Sequence, residues 1–285
     1  MTPPALTGRI WLILLRNEWQ KAWKRMAFLL PLGFFLFVNV MGFGSSYYDA
    51  RNDPERSFAL PEAWSEILSQ DIGTFLLIFA SICLIMLVSS EFTWRTARQN
   101  VIDGLSKTQW FVGKSMLLPV IGVLFILLST MIGGVIGWMG TDPATASGPL
   151  FTAGVLRAMG ALFLAFMSVG GLALFISLAV RGSGGAMAVW FLWIFPMEQL
   201  IVPGLLGRIA FLRDYLQYQP FLSAQRLLGF ENWDPVAFQR LVDARREAER
   251  SIPPTPDMAT DLWVNAAWAL AFLIGAFLMF RRRDL

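Results

Sequence analysis

The sequence predicts an all-α integral membrane protein with six transmembrane helices. Hydrophobic residues make up 56% of the chain and charged residues only 15%, whereas a soluble domain carries nearer a quarter charged residues. Six apolar runs have the length of about 17 to 25 residues that a membrane-spanning helix needs. The basic residues cluster on alternate connections between these runs, as they do in multi-pass membrane proteins.

The six apolar runs are predicted as spans of one transmembrane domain that covers residues 1–285, and we expect no soluble domain. The predicted spans are 26–43, 72–90, 115–139, 159–180, 186–202 and 262–280. Pro31 lies in the first turns of the first span, where its missing N–H does little harm. Pro196 and Pro203 flank Glu198 in the fifth span and predict a bent or broken helix there.

The segment 7–25 is predicted to be an amphipathic helix that lies in the membrane interface. Trp11, Leu15 and Trp19 recur at a spacing of four, which places them on one face of a helix. The polar face of this helix carries Arg16, Asn17, Gln20, Lys21 and Lys24. Tryptophan at headgroup depth and basic residues toward anionic lipid are typical of such helices. Because charges follow the first apolar stretch closely, we expect no cleaved signal peptide.

The distribution of basic residues predicts that both termini are cytoplasmic. With the N-terminus inside, thirteen of the 23 basic residues lie in inner segments and three in or beside the short outer loops. The remaining seven lie in the long region 203–261, which the positive-inside rule weights weakly. Residues 91–114 are then cytoplasmic and residues 203–261 extracytoplasmic.

The extracytoplasmic region is predicted to contain helices of two kinds. Residues 204–230 are moderately apolar and indicate one or two short helices that dip into or lie on the membrane. Residues 235–250 indicate a water-facing helix with Val236, Leu241 and Val242 on its inner side.

The cytoplasmic connection 91–114 is much longer than the connection that two neighbouring helices need. A helix is predicted over 96–102, and Gly104 provides its stop. Ser106 provides the N-cap of a second short helix that carries Trp110. We expect a helical segment parallel to the membrane that presents polar groups to a cytoplasmic partner.

Several residue groups in this connection resemble the pattern of type-2 ABC exporter permeases. The groups are Glu91-Phe92, Thr96, Arg98, Gly104-Leu105-Ser106 and Gly113-Lys114. The N-terminal amphipathic helix resembles the interfacial "elbow" helix of that family, and the region before the last span resembles its re-entrant helices. The resemblance implies a cytoplasmic coupling helix that docks into a separate ATPase subunit, with its contacts in Glu91, Arg95, Thr96, Arg98, Gly104, Lys107, Gly113 and Lys114.

The resemblance also implies an assembly. Two permease chains, identical or different, pair in a bacterial plasma (inner) membrane and bind cytoplasmic ABC ATPase subunits. ATP hydrolysis on those subunits then drives outward transport of an unidentified substrate. ATP and Mg²⁺ are bound by the ATPase and not by this chain, and nucleic acid is not an expected partner.

The chain itself is not predicted to be an enzyme or to hold a cofactor. Gly113-Lys114-Ser115 looks like the end of a P-loop, but Thr108 stands where the first glycine belongs and no strand precedes it. The chain has no histidine and a single cysteine, Cys83. A zinc or copper site and an internal disulfide are therefore not expected.

Three polar residues within or beside the predicted spans are candidates for a transport pathway: Asn39, Arg157 and Glu198. Polar groups at membrane depth are costly and often functional. Glu198 could line the exit or pair with Arg157 or Arg208, and it could equally be an interfacial acid that faces water.

Other function classes remain open at this level. An ion-coupled secondary transporter would have several acids inside its spans and often inverted repeats. A membrane-embedded enzyme would have histidine or paired carboxylates. A scaffold subunit of a membrane complex fits the same hydropathy. The mostly apolar spans favour an amphipathic or lipidic cargo.

Overall fold

A computed structural model describes residues 8–53, 56–94, 96–102, 104–142, 149–213, 215–247 and 257–282. All regular structure among these residues is helical. The α-helices in chain order are α1 (Gly8–Ala22), α2 (Met26–Asn52), α3 (Trp64–Ile67), α4 (Gln70–Thr93), α5 (Thr96–Ile102), α6 (Lys107–Ser115), α7 (Leu117–Met139), α8 (Ala153–Val180), α9 (Ser183–Leu192), α10 (Val202–Leu206), α11 (Ala210–Arg213), α12 (Pro220–Arg226), α13 (Pro235–Glu247) and α14 (Met258–Arg282).

The prediction of six membrane-spanning helices is confirmed for the described residues, with α2, α4, α7, α8, α9 and α14 forming the spans. Several helices extend beyond the apolar runs. The helix α2 continues to Asn52, and in this extension Ser46 Oγ donates to Gly42 O and Asn52 Nδ2 donates to Tyr48 O. The helix α8 likewise begins at Ala153 and not at 159. Hydropathy marks the part of a helix that crosses lipid, and the helix itself ends in the polar layer.

The core of the bundle lies around α4 and α8, whose side chains are buried along most of their length. Phe35 from α2 and Phe125 from α7 pack with ring centroids 4.9 Å apart. Trp190 from α9 is fully buried in the same cluster. Close packing also requires glycine: a Cβ at Gly133 would lie 2.7 Å from Ile67 Cγ1, so α3 packs directly on α7.

The fifth span changes helix type and does not break. After α9 the chain continues as a π-helix, Trp193–Ile201, and then as α10. Pro196 lies inside the π-helix. Proline has no N–H for the i→i−4 bond, and a wider turn accommodates its ring without ending the helix. The predicted irregularity is thus present as a local widening that contains Glu198.

The region before the last span contains the short helices α10 to α12 and the longer helix α13. The prediction that Val236 faces inward is wrong, because 62% of its surface is exposed, whereas Val242 is buried. Asp234 Oδ1 accepts hydrogen bonds from the backbone N–H groups of Val236 and Ala237 and so begins α13. Val236 lies on the exposed side of this first turn, whereas the neighbouring Ala237 packs on the cluster of Trp64 and Phe230.

Different helices meet at the two ends of the bundle. One end brings together α1, the last turns of α4, the helices α5 and α6, and the last turns of α14. The other end brings together α3, α12 and the start of α14. The cytoplasmic connection predicted from the sequence and the predicted extracytoplasmic region therefore lie at opposite ends.

Candidate coupling site

The connection between α4 and α7, residues 91–114, folds into two short helices and is called the coupling loop below. The helix predicted over 96–102 is α5. Gly104 follows it with a φ of 107°, in the left-handed region that favours glycine. Ser106 Oγ accepts from Gln109 N while Gln109 Oε1 accepts from Ser106 N, which forms a capping box at the start of α6. The turn between α5 and α6 is therefore defined by two local features of the sequence, Gly104 and the capping box that begins at Ser106.

A largely buried cluster of four charged residues and one tryptophan fixes the coupling loop to the membrane bundle. Its five members are Glu18, Arg25, Glu91, Trp110 and Lys114, called the ion cluster below. The Lys114 ammonium contacts the Glu18 carboxylate and lies 2.5 Å from Glu91 Oε1. Trp110 Nε1 donates to Glu91 Oε2 at 3.2 Å, and Arg25 Nη1 lies 3.8 Å from Glu91 Oε1.

Burial makes the pairing within the ion cluster energetically important. Glu91 is fully buried and Lys114 is only 2% exposed. A buried charge is tolerated when it is paired and hydrogen-bonded, and the loss of one partner is strongly destabilising. Burial alone would raise the pKa of Glu18, but the ammonium groups of Lys114 and Lys21 outweigh it and hold this pKa below its usual value. The cluster is thus a set of mutually dependent charges.

The ion cluster joins three elements that are far apart in sequence. Glu18 belongs to α1, Glu91 to the last turn of α4, and Lys114 to the end of α6. A fourth helix joins through aromatic contacts: the rings of Trp110 and Phe280 stack with centroids 4.8 Å apart. A displacement of α6 therefore acts directly on α1, α4 and α14.

Four of the predicted coupling residues lie in or beside this cluster. Glu91 and Lys114 are covered by the chain itself and do not form an open surface. Thr96 Oγ1 donates to Glu91 O at 3.3 Å, which holds the start of α5 against the end of α4. A Cβ on Gly113 would meet Glu18 Cγ at 3.5 Å, so α1 lies directly against α6 at this point.

The other four predicted coupling residues lie toward the outside of the loop or outside the described structure. Gly104 forms the exposed turn between α5 and α6, and Lys107 is half-buried in the first turn of α6. Arg95 lies outside the described residues. For Arg98 only the helical backbone of α5 is described.

Sequence reasoning missed three residues at this site. Glu18 is a central member of the ion cluster, and its signal is an acid on the same helical face as the apolar residues Leu14 and Ala22, at a spacing of four. Trp94 and Ile102 are 63% and 67% exposed on the coupling loop. Their signal is the presence of large apolar side chains in an otherwise polar connection.

The triplet that looks like part of a P-loop is helical. Gly113-Lys114-Ser115 closes α6, where Ser115 Oγ donates to Phe111 O at 2.9 Å. Lys114 is held by two carboxylates, so this lysine has no free face toward a phosphate. Among the described residues, no group of three histidine, cysteine or acidic side chains has the arrangement of a metal site.

Glu198 has different partners from those predicted. It is fully buried, so it does not face water, and its hydrogen bonds in the described structure go to groups other than Arg157 and Arg208. Its carboxylate accepts from Trp193 Nε1 at 2.6 Å and from the backbone N–H groups of Phe221 and Leu222 at 2.8 and 3.2 Å. These N–H groups start α12 and have no partner within the helix, which is why a carboxylate is favourable there.

The three pathway candidates have separate surroundings in the structure. Asn39 Oδ1 accepts from Ser129 Oγ at 2.6 Å and its Nδ2 donates to Phe35 O, which links α2 to α7 inside the bundle. Arg157 is exposed near the start of α8 and lines a cavity of about 400 Å³ together with Glu231. Asn39 and Glu198 thus join neighbouring elements of the bundle, whereas Arg157 lies at the wall of an open cavity.

The family of the chain follows from a comparison with protein-family models. Residues 14–197 match the model described as "ABC-2 family transporter protein". This segment covers more than half of the 285 residues and contains the whole ion cluster and coupling loop. The comparison with curated proteins gives no match. The chain is therefore a multi-pass membrane protein of the ABC-2 transporter family, an ABC transporter permease.

Proposed function

We propose that this chain is the membrane-spanning half of an exporter, driven by a separate cytoplasmic ABC ATPase that docks on the coupling loop. The main support is the combination of a stiff attachment and an exposed apolar surface. The ion cluster fixes the loop to α1 and α4, while Trp94 and Ile102 present large apolar side chains outward. Exposed apolar side chains on a polar segment indicate a partner surface.

The proposed mechanism uses the coupling loop as a lever. ATP-driven closure of the ATPase moves α5 and α6 as a unit, since the capping box and the Gly104 turn connect them tightly. The ion cluster passes this movement to α1 and to the end of α4, and the Trp110–Phe280 stack passes it to α14. Because α4 and α14 both pack on α8, the movement reaches the centre of the bundle.

The proposed assembly places both termini and the coupling loop in the cytoplasm of a bacterial cell, with the chain in the inner membrane. The excess of basic residues at that end supports this orientation. A second permease chain completes the membrane domain. ATP and Mg²⁺ are held by the ATPase subunits.

The test is co-expression of the chain with a cognate ABC ATPase, followed by co-purification in detergent and by measurement of ATP hydrolysis. Ile102→Asp is expected to reduce the recovered ATPase at least tenfold, because it places a charge in the proposed apolar contact. The matched control is Leu150→Asp, an exposed leucine at the opposite end of the bundle. Both variants have to insert in the membrane at the level of the wild type.

The proposal predicts a loss of co-purification and of stimulated ATP hydrolysis for Ile102→Asp, with no loss for Leu150→Asp. It is contradicted when Ile102→Asp retains full association. Loss of association in Leu150→Asp alone would place the partner at the other end of the bundle and would equally overturn the proposal.

A further inference from the structure

A polar cavity of about 570 Å³ lies at the end of the bundle opposite the coupling loop, between the start of α4, the helix α12 and the start of α14. Its polar lining consists of Gln70, Gln217, Gln225, Arg226, Asn232 and Asp261. We infer that this cavity binds a neutral, hydroxyl-rich group, as a saccharide presents. The inference rests on the proposed function in one respect only: the proposed orientation places the cavity on the extracytoplasmic side of the membrane.

The two ionisable residues that line the cavity form an ion pair, and the exposed carboxylate of Asp257 interacts with this pair from outside the lining. Arg226 Nε lies 3.1 Å from the carboxylate of Asp261, which is fully buried. The rest of the guanidinium contacts Gln217 Oε1 and lies over the ring of Tyr218, 5.8 Å from its centroid. No other ionisable side chain of the described residues lines the cavity. An anionic or cationic ligand would therefore gain little from the net charge of this site.

The hydrogen-bonding groups of the cavity favour a ligand that both donates and accepts. Gln225 Nε2 donates to Thr74 Oγ1, and Asn232 Nδ2 donates to Leu228 O. In both side-chain amides, the nitrogen is therefore the atom that is bound to the protein. Their carbonyl oxygens are then available as acceptors, next to the donors of the Arg226 guanidinium. A hydroxyl group donates one hydrogen bond and accepts up to two, and several hydroxyls on one ring match such a mixed set.

A buried acceptor one helical turn beyond Asp261 gives further support. In the described structure, Asn265 Oδ1 accepts no hydrogen bond, whereas Asp261 Oδ1 lies 3.1 Å from Arg226 Nε in the ion pair. Both residues are fully buried on neighbouring turns of α14. Buried polar atoms are nearly always hydrogen-bonded, so the Asn265 oxygen calls for a donor from outside the chain. Hydroxyl groups of a ligand, or water held beneath it, supply such donors.

The same hydroxyl-rich group could come from a free saccharide or from the head of a glycolipid in the outer leaflet. One arm of the test measures binding of maltose to the purified permease–ATPase complex in lipid nanodiscs by saturation-transfer NMR. The second arm counts glucosyl dioleoylglycerol bound to the same complex by native mass spectrometry, with dioleoylglycerol as the matched lipid that lacks the sugar. Phosphocholine is the charged comparison ligand in the first arm.

Gln225→Leu is expected to weaken binding of the sugar at least tenfold, and Gln239→Leu, an exposed glutamine on α13, is expected to leave binding unchanged. Gln70→Leu, at the exposed rim of the cavity, repeats the test should Gln225→Leu disturb folding.

Binding of maltose identifies a free saccharide, and selective binding of the glucosyl lipid identifies a lipid head; either result supports the inference. Binding of neither, tighter binding of phosphocholine, or sugar binding that is insensitive to both cavity variants overturns it. Loss of ATPase association leaves this binding measurement interpretable, because it can be repeated on the permease alone.

Discussion

Replacement of Lys114 by methionine tests the ion cluster most sharply. Methionine keeps the approximate length of the side chain and removes the ammonium that joins Glu18 to Glu91. Glu91 is then a fully buried carboxylate with two remaining partners, the Trp110 indole at 3.2 Å and Arg25 at 3.8 Å.

The magnitude follows from the burial of the pair. Loss of one partner of a buried ion pair costs about 3 to 5 kcal/mol. Because Glu91 retains one hydrogen bond and a more distant cation, we expect the lower end, about 3 kcal/mol, or roughly a hundredfold in the unfolding equilibrium. Glu91→Gln in the Lys114→Met background removes the unpaired charge, so the double variant is expected to be more stable than Lys114→Met alone. The coupling energy between the two sites is then about 1 to 2 kcal/mol.

The assay is reversible unfolding in mixed micelles with increasing SDS, followed by the fluorescence of the chain's 12 tryptophans. The matched control is Lys24→Met, an exposed lysine beside the same end of the bundle, for which we expect a change within about 0.5 kcal/mol. Two results would refute the reasoning: a cost below about 1 kcal/mol for Lys114→Met, or energies of the two single variants that simply add.

Three further predictions concern Gly104, Glu198 and Glu18. Gly104→Ala forces a left-handed conformation on a residue with a Cβ, so we expect a cost of about 1 kcal/mol and faster amide exchange in α5 and α6, while insertion in the membrane is unchanged. Glu198→Gln weakens the cap on α12, so amide exchange over 220–226 is expected to accelerate about tenfold; unchanged exchange there would show that the carboxylate does not hold this helix. The pKa of Glu18 is lower in the folded protein, so its stabilising contribution is complete above its usual pKa of about 4.3 and is lost as the pH falls through the lower folded value. Glu18→Gln is expected to remove that part of the acid sensitivity, and an identical pH profile for variant and wild type would argue against the pairing with Lys114.

The parts of the fold that were predictable from the sequence depend on local properties. Each membrane span is a continuous apolar run, so the number of spans could be read from hydropathy alone. The turn between α5 and α6 was predictable for the same reason, because Gly104 and Ser106 act on their immediate neighbours. The ends of the helices were less predictable, since α2 and α8 continue past their apolar runs, to Asn52 and from Ala153.

The contacts that form the candidate site depend on distant parts of the chain. Glu18 and Lys114 are 96 positions apart, and no local pattern joins them. Trp110 is buried between Glu91 and Phe280, and no local pattern in the sequence indicates these contacts. Two of the three hydrogen-bond partners of Glu198 are backbone N–H groups, which no side-chain pattern in the sequence indicates.

The central claim is that the coupling loop contacts an ATPase, and site-specific photocrosslinking at position 102 tests it directly. A benzoyl-phenylalanine replaces Ile102 in the co-expressed complex, and the same probe at Leu150 is the control. The account predicts a crosslinked product of the permease with the ATPase from position 102, with a yield that changes on addition of ATP, and no such product from position 150. Absence of a product at 102 in an intact complex, or an equal yield from both positions, would contradict it.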